Sequence, residues 1–233
     1  MLRKQIARTL DTSRVRPRHA VATIKPHNHA AYSASVVENG SLSHVEIAYS
    51  AAEPAVERAD AVFGLFELGI RRLTLLGYGW SVCDRQLGRG PLLLSDQINL
   101  TGNNPLIDAR FESRASTFPD MSAPFACDLP GEPTDGMPSI VYAGVQHMEP
   151  VVGPEAEFTR MLGAHVAGPC FVPEVLAAHA IGVDVLAFAL QLGAESSPIE
   201  GDWRQDDLTA AGPYIAAFFQ ATSLRSRCEP NGK

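Results

Sequence analysis

The chain has no apolar run of 18 residues, so none of its 233 residues reads as a membrane-spanning helix. Its start carries Arg3, Lys4 and Arg8 without a following apolar stretch, so it does not read as a secretory signal. Positive charge is scarce. The 19 Lys and Arg stand against 26 Asp and Glu, a formal net charge of -7, which argues against nucleic acid or another polyanion as partner. Cysteine is scarce too, and Cys83, Cys127, Cys170 and Cys228 show no metal or redox spacing. They read as free thiols of a reducing, cytoplasmic compartment. His27, His29 and His44 lack an evident carboxylate or thiol third ligand, so no metal site is expected.

What is present is the alternation of an α/β protein. A strand is expected to begin at 21–24. Two alternating runs, 32–37 and 44–49, flank Asn39-Gly40 and predict a β-hairpin, because Asn-Gly tolerates positive φ. Pro54 opens a helix over 55–68, which Gly69 closes. Residues 73–76 form a short buried strand, and Gly77-Tyr78-Gly79-Trp80-Ser81 reads as a glycine-rich loop at its carboxyl end. The apolar run Leu92-Leu93-Leu94 meets Ser95-Asp96 and then a polar loop closed by Gly102, Asn103, Asn104 and Pro105. In an α/β sheet such a point is where a strand ends and a ligand cleft begins. The irregular segment 107–138 is too long for a routine connector and predicts a functional or interface loop. Strands at 140–145, 166–171 and 185–192 then alternate with helices at 154–162 and 173–180, and a last helix runs to about 224 with Pro213 at or within its start. Continuous apolar strands alternating with helices predict a largely parallel sheet covered on both faces.

Four segments resemble, in order, the trimeric class of purine nucleoside phosphorylase. They are 62–69 with 73–76; 92–106; Phe118-Pro119-Asp120-Met121-Ser122; and 142–164, continuing through Val172-Pro173-Glu174-Val175 to 182–190. The resemblance implies a single α/β domain over 21–228 behind an N-terminal extension, 1–20. It implies a twisted, mostly parallel or mixed sheet flanked by helices on both faces. It also implies a homotrimer in which Phe118 reaches a neighbour's site. The implied activity is that of a pentosyltransferase acting on the N-glycosidic bond of a purine nucleoside, with phosphate as co-substrate and no other cofactor.

Many of the positions that serve the family's ligands carry other residues here. The first 20 residues contain no glycine, so the family's phosphate loop has no counterpart. Glu46 stands at the position of a phosphate-binding Arg and Ala48 at that of a His, and a carboxylate at that place repels an anion. The segment from Gly77 to Ser81 replaces an Asn-Ala-Ala-Gly-Gly loop. Val151 falls on the purine-recognising Glu, Pro150 on the aromatic before it, Pro169 on the Met beneath the ribose, Gly193 on the Asn that bonds the purine, and Gln205 on the His near the ribose end. His27, Phe118 and Tyr142 match family positions. The substrate-binding set implied in this way is His27, Tyr78, Trp80, Phe118, Tyr142, Val151, Pro169 and Gly193.

Tyr78 and Trp80 either form an apolar pocket for a planar ligand or fill the vacated space. Gln146, His147 and Glu149 lie just past the strand 140–145. A His two residues from a Glu can serve acid–base chemistry, which makes these three the catalytic candidates; the other reading is a solvated loop pair. The expectation is a diverged nucleoside phosphorylase-like protein acting on a nucleoside or an aromatic, nucleoside-like metabolite, with most phosphate- and purine-binding residues replaced. The alternatives are an enzyme of another reaction type and a non-catalytic trimeric binding subunit.

Overall fold

A computed structural model describes residues 20–26, 33–39, 42–49, 51–83, 87, 90–126, 137–147, 149–192 and 205–220. Among them are eight strands, β1 (Ala20–Pro26), β2 (Ser33–Asn39), β3 (Leu42–Tyr49), β4 (Arg72–Ser81), β5 (Pro91–Asn99), β6 (Ser139–Gly144), β7 (Val166–Gly168) and β8 (Asp184–Leu192). The helices are α1 (Ala55–Glu67), α2 (Pro154–Met161), α3 (Val172–Ala180) and α4 (Gln205–Gln220). A short 3₁₀ turn, Pro105–Ile107, follows β5. The expected N-terminal extension lies, but for Ala20, outside the described residues.

The punctuation of the sequence sets the helix ends. Pro54 precedes α1 and Pro154 opens α2, where a missing N–H costs nothing. Gly69, Gly163 and Gly182 follow α1, α2 and α3 with φ of 90°, 95° and 72°, the left-handed exit that a side chain resists. The predicted hairpin is β2 against β3, in register from Ser33↔Ala48 to Asn39↔Leu42.

The sheet is mixed, as the resemblance implied, but it is not an open sheet between two helical layers. Strand β8 runs parallel to β4 from Arg72↔Asp184 to Trp80↔Leu192 and antiparallel to β5 at Pro91↔Leu190. With β5–β6, β6–β7 and β7–β4 also paired, the five strands β4-β7-β6-β5-β8 close into a barrel. The β2-β3-β1 sheet extends from β4. Closure satisfies the second edge of β4 and of β5, which an open sheet would leave bare.

Three strand predictions are corrected, the first being 166–171, which ends as β7 at Gly168 because the chain then bends into the N-terminus of α3. Strand β4 does not stop at Leu76 but runs through Gly77, Tyr78, Gly79 and Trp80 to Ser81. The glycines serve close approach, not a turn. A Cβ at Gly77 would lie 2.3 Å from Cζ of Phe171, and one at Gly79 would lie 2.6 Å from Cγ1 of Val166. Strand β5 does not end at Leu94. Ser95 is an extra residue in the ladder, a bulge between Leu94↔Ile140 and Asp96↔Val141, and pairing with β6 continues to Asn99. The Ser95 hydroxyl donates to the Ile140 carbonyl at 3.0 Å, which anchors the bulge.

Alternate residues of β8 enter different parts of the core. Val185, Ala187 and Ala189 join the main cluster with α1 and α3, while Leu186 and Phe188 pack with Tyr214 of α4. The segment after β5 is irregular, as expected, and it is tied down. Phe111 stacks on Phe63 of α1 at 4.6 Å, and Arg114 reaches Glu67 at 2.6 Å. Further along, the Pro124 carbonyl meets His179 Nε2 at 2.8 Å.

Candidate functional site

A cleft of about 550 Å³ opens where the loop after β5, the end of β6 and the N-termini of α1 and α3 converge. Asn103, Asn104 and Asp108 contribute from the loop, Gln146 from the end of β6, Glu53 from the approach to α1, and Pro169 from the approach to α3. The sequence therefore placed the cleft well: the loop closed by Gly102 and Pro105 does line it. The loop is held by its own side chains. Asn99 Oδ1 accepts from the Thr101 backbone at 3.0 Å, and Asn104 Oδ1 accepts from Leu106 at 3.0 Å, capping the 3₁₀ turn.

Beneath the cleft lies a buried ion pair that sequence reasoning missed. Arg58 of α1 and Glu174 of α3 form two parallel bonds, Nε to Oε1 at 2.7 Å and the second terminal nitrogen to Oε2 at 2.8 Å. The remaining terminal nitrogen donates to the carbonyls of Pro169 at 2.8 Å and Ala51 at 3.2 Å. Both residues are at most 5% exposed. This fork joins two helices and two loops, so Arg58 orders the cleft wall instead of offering a free cation. The signal was present: a charge inside the apolar stripe shared with Val62 and Leu65, and another inside Val172-Pro173-Glu174-Val175.

The chain between β7 and α3 is strained. Phe171 has φ 75° and ψ -47°, and the Cys170 carbonyl accepts from the Val172 N–H at 3.0 Å, which makes a γ-turn of the rare positive-φ kind. Such a conformation costs about 1–3 kcal/mol for a bulky residue and survives only where its surroundings hold it. Here Arg58 holds Pro169, and the Phe171 ring meets Tyr142 edge-on at 4.7 Å. The Cys170 N–H also donates to the Tyr142 hydroxyl, at 3.3 Å.

The predicted site residues divide accordingly. Tyr142 is fully buried; its hydroxyl donates to the Tyr78 carbonyl at 2.7 Å and accepts from Cys170, so it is spent inside the core and does not reach the cleft. Burial, with the neighbouring Cys170 thiol, pushes that phenol well above its ordinary pKa. Tyr78 and Trp80 are 1% and 0% exposed and meet edge-on at 5.9 Å. They lie in the core, not along the cleft, because the segment that carries them is strand.

Pro169 and Gln146 line the cleft. Val151 and His147 line a second hollow of about 350 Å³ with Leu100, Pro154 and Phe158, and Val145 lines both cavities. Glu149 points outward; its carboxylate lies 3.9 Å from His147 Nδ1, and its backbone carbonyl lies 3.0 Å from the same nitrogen. Phe118 is 85% exposed on the loop surface. His27 and Gly193 lie outside the described residues. Among the described residues, no group of three or more His, Cys, Asp or Glu is placed to hold a metal ion.

A closed five-strand barrel with a β-hairpin extension, and a cleft where loops and helix N-termini meet, is a nucleoside phosphorylase-like architecture. The structure of Schistosoma purine nucleoside phosphorylase in complex with guanosine superposes with a TM-score of 0.73 over 95% of this chain and 97% of that one, at 16% identity. The Schistosoma mansoni enzyme in complex with inosine gives 0.63 at 15% identity. In sequence, purine nucleoside phosphorylase 1 of Bacillus subtilis is 26% identical over 135 residues, 55% of this chain and 50% of that protein. The Mycobacterium tuberculosis purine nucleoside phosphorylase is 32% identical over 107 residues, 46% of this chain and 38% of that one. The chain thus spans half or less of the length of these two curated relatives. No family model matches it. The chain is a relative of the purine nucleoside phosphorylases, diverged at low identity.

Proposed function

We propose that the chain binds a nucleoside or nucleoside-like metabolite in the cleft beside Asn104 and Pro169 and acts on its N-glycosidic bond, without the family's usual use of phosphate. The observation that carries the reading is the cleft itself, formed at the carboxyl end of β6 in a fold that superposes along nearly its whole length on a guanosine complex. Three features support altered contacts. Val151 is buried in an apolar hollow where the resemblance implies a carboxylate. Tyr78 and Trp80 are packed into the core where the resemblance implies an open loop. The cleft's Arg58 is already bound by Glu174. His147, which lines the second hollow, is the side chain available for proton transfer, and Gln146 at the cleft can offer only hydrogen bonds.

The reading extends to a single domain over 21–228 and to a cytoplasmic homotrimer. Exposure of Phe118, the residue that resemblance places against a neighbour, supports the trimer. Among the described residues, no helix is long and apolar enough to cross a membrane. Commitment of the Tyr142 hydroxyl to the backbone favours one further reading, a binding subunit without turnover.

The test is release of base from inosine, guanosine and adenosine with and without phosphate, beside a thermal-shift series with the same compounds. We expect nucleosides to raise the melting temperature and base release to be insensitive to phosphate. Phosphate-dependent release refutes the altered contacts. Nucleoside stabilisation without release selects the binding subunit, and no stabilisation at all overturns the nucleoside reading.

A further inference from the structure

One wall of the cleft is made by Pro169, Val172 and Pro173. Between them run Cys170 and Phe171, both buried and neither lining the cleft. Phe171 is the residue with positive φ. The wall is therefore carried on a turn that its own backbone resists, and strain of this kind persists only where the surroundings fix it.

The turn is seated where three strands lack side chains. A Cβ at Gly168 of β7 would lie 2.5 Å from the Tyr142 hydroxyl and 2.9 Å from the Tyr78 carbonyl. A Cβ at Gly144 of β6 would overlap Cγ2 of Val172, and one at Gly77 of β4 would overlap the Phe171 ring. Two side chains then bond the backbone of the turn, Arg58 at the Pro169 carbonyl and Tyr142 at the Cys170 N–H. Tyr142 gives its proton to the Tyr78 carbonyl at 2.7 Å, so its oxygen turns a lone pair to Cys170. Without that oxygen a buried N–H loses its acceptor. The readiest relief is for the Cys170–Phe171 peptide to leave the positive-φ turn, which releases the strain as well. Pro169, Val172 and Pro173 move with it.

We propose that Tyr142 is a positioning residue of the cleft: it does not meet the ligand, and its hydroxyl fixes the wall against which the ligand binds. This rests on the cleft being the nucleoside site.

Tyr142→Phe keeps the ring against Phe171 and removes only the oxygen. Its matched control is Tyr214→Phe, which removes a buried hydroxyl from the separate cluster with Leu186 and Phe188, where it accepts from the Met137 N–H at 2.7 Å. The first measurement on the intact chain needs no ligand. It is the rate of thiol labelling at Cys170 in the native state, mapped by mass and corrected for the global stability of each variant. Tyr142→Phe is expected to label about tenfold faster than wild type, and Tyr214→Phe at the wild-type rate. The second is calorimetric titration with inosine, guanosine and adenosine. The nucleoside that wild type binds most tightly is expected to bind about fivefold more weakly to Tyr142→Phe and equally well to Tyr214→Phe. The same nucleoside should slow labelling of Cys170 in Tyr142→Phe, because a ligand that needs the wall in place favours the held turn. Unchanged labelling, faster labelling with unchanged affinity, or equal effects of the two variants overturns the proposal. Binding of none of the three nucleosides by wild type, with Cys170 freed in Tyr142→Phe alone, refutes the nucleoside reading and upholds the hold of the hydroxyl on the wall.

Discussion

Replacing Gly77 with alanine tests the packing that holds the strained turn. The new Cβ would lie 2.3 Å from Cζ of Phe171, 2.8 Å from its Cε1 and 2.9 Å from Cβ of Cys170. Carbon atoms pack best at about 3.5–4.0 Å, so the first overlap exceeds 1 Å by about two tenths or more. None of these neighbours is the loose end of a flexible side chain. The Phe171 ring is fixed against Tyr142, and Cys170 is fixed by the turn and by its bond to the Tyr142 hydroxyl. Overpacking of this kind costs about 1–3 kcal/mol, and the overlap puts Gly77→Ala at the upper end. For a domain of this size that lowers the melting temperature by about 2–4 °C per kcal/mol.

Phe171→Ala removes the ring and costs about 3–5 kcal/mol by itself. In that background Gly77→Ala loses its two shortest contacts, so the double variant should be more stable than the sum of the singles by about 1–2 kcal/mol. Urea unfolding, followed by the fluorescence of buried Trp80 three residues along the strand, measures all three. Additivity within about 0.5 kcal/mol would show that the glycine is not there to make room for the ring.

Two other perturbations follow from buried groups. Glu174→Ala strands the Arg58 charge under the cleft and should cost about 3–5 kcal/mol, whereas Arg58→Met with Glu174→Leu should recover most of that loss; denaturant midpoints of the two variants decide it. Burial pushes the Cys170 thiol up to about 11, so at pH 8 it should remain unmodified by a thiol reagent in the native protein and react fully once unfolded, as read by mass mapping of its peptide.

Much of the fold could be read locally. Pro54 with Gly69, and Pro154 with the acids behind it, mark α1 and α2 because helix ends are set by a few adjacent residues. Asn39-Gly40 marked the hairpin for the same reason. What escaped was set by contacts distant in sequence. Gly77 and Gly79 look like a loop until Phe171 and Val166 are brought against them, and only then does the strand explain the glycines. Closure of the barrel left no trace in periodicity, since a strand buried on both faces reads alike in an open or a closed sheet. Arg58 and Glu174 are 116 residues apart; each was conspicuous as a charge in an apolar pattern, but nothing paired them. At the cleft, the loop from Thr101 to Asp108 was legible from its Asn, Gly and Pro. The place of Tyr142 was not, because a tyrosine that aims its hydroxyl at a backbone carbonyl has the same sequence as one that aims it at a sugar.

The barrel is closed by its last strand, and this has a consequence for how the chain is made. Until β8 arrives, β4 and β5 each lack a partner along one edge. Synthesis proceeds from the N-terminus, so both edges wait through the emergence of about a hundred further residues after β5 begins, and β4 is an apolar strand. An unpaired apolar edge is a template for another chain. Aggregation in this protein is therefore a hazard of its biosynthesis more than of its finished state, and fragments that stop before Asp184 inherit that hazard permanently.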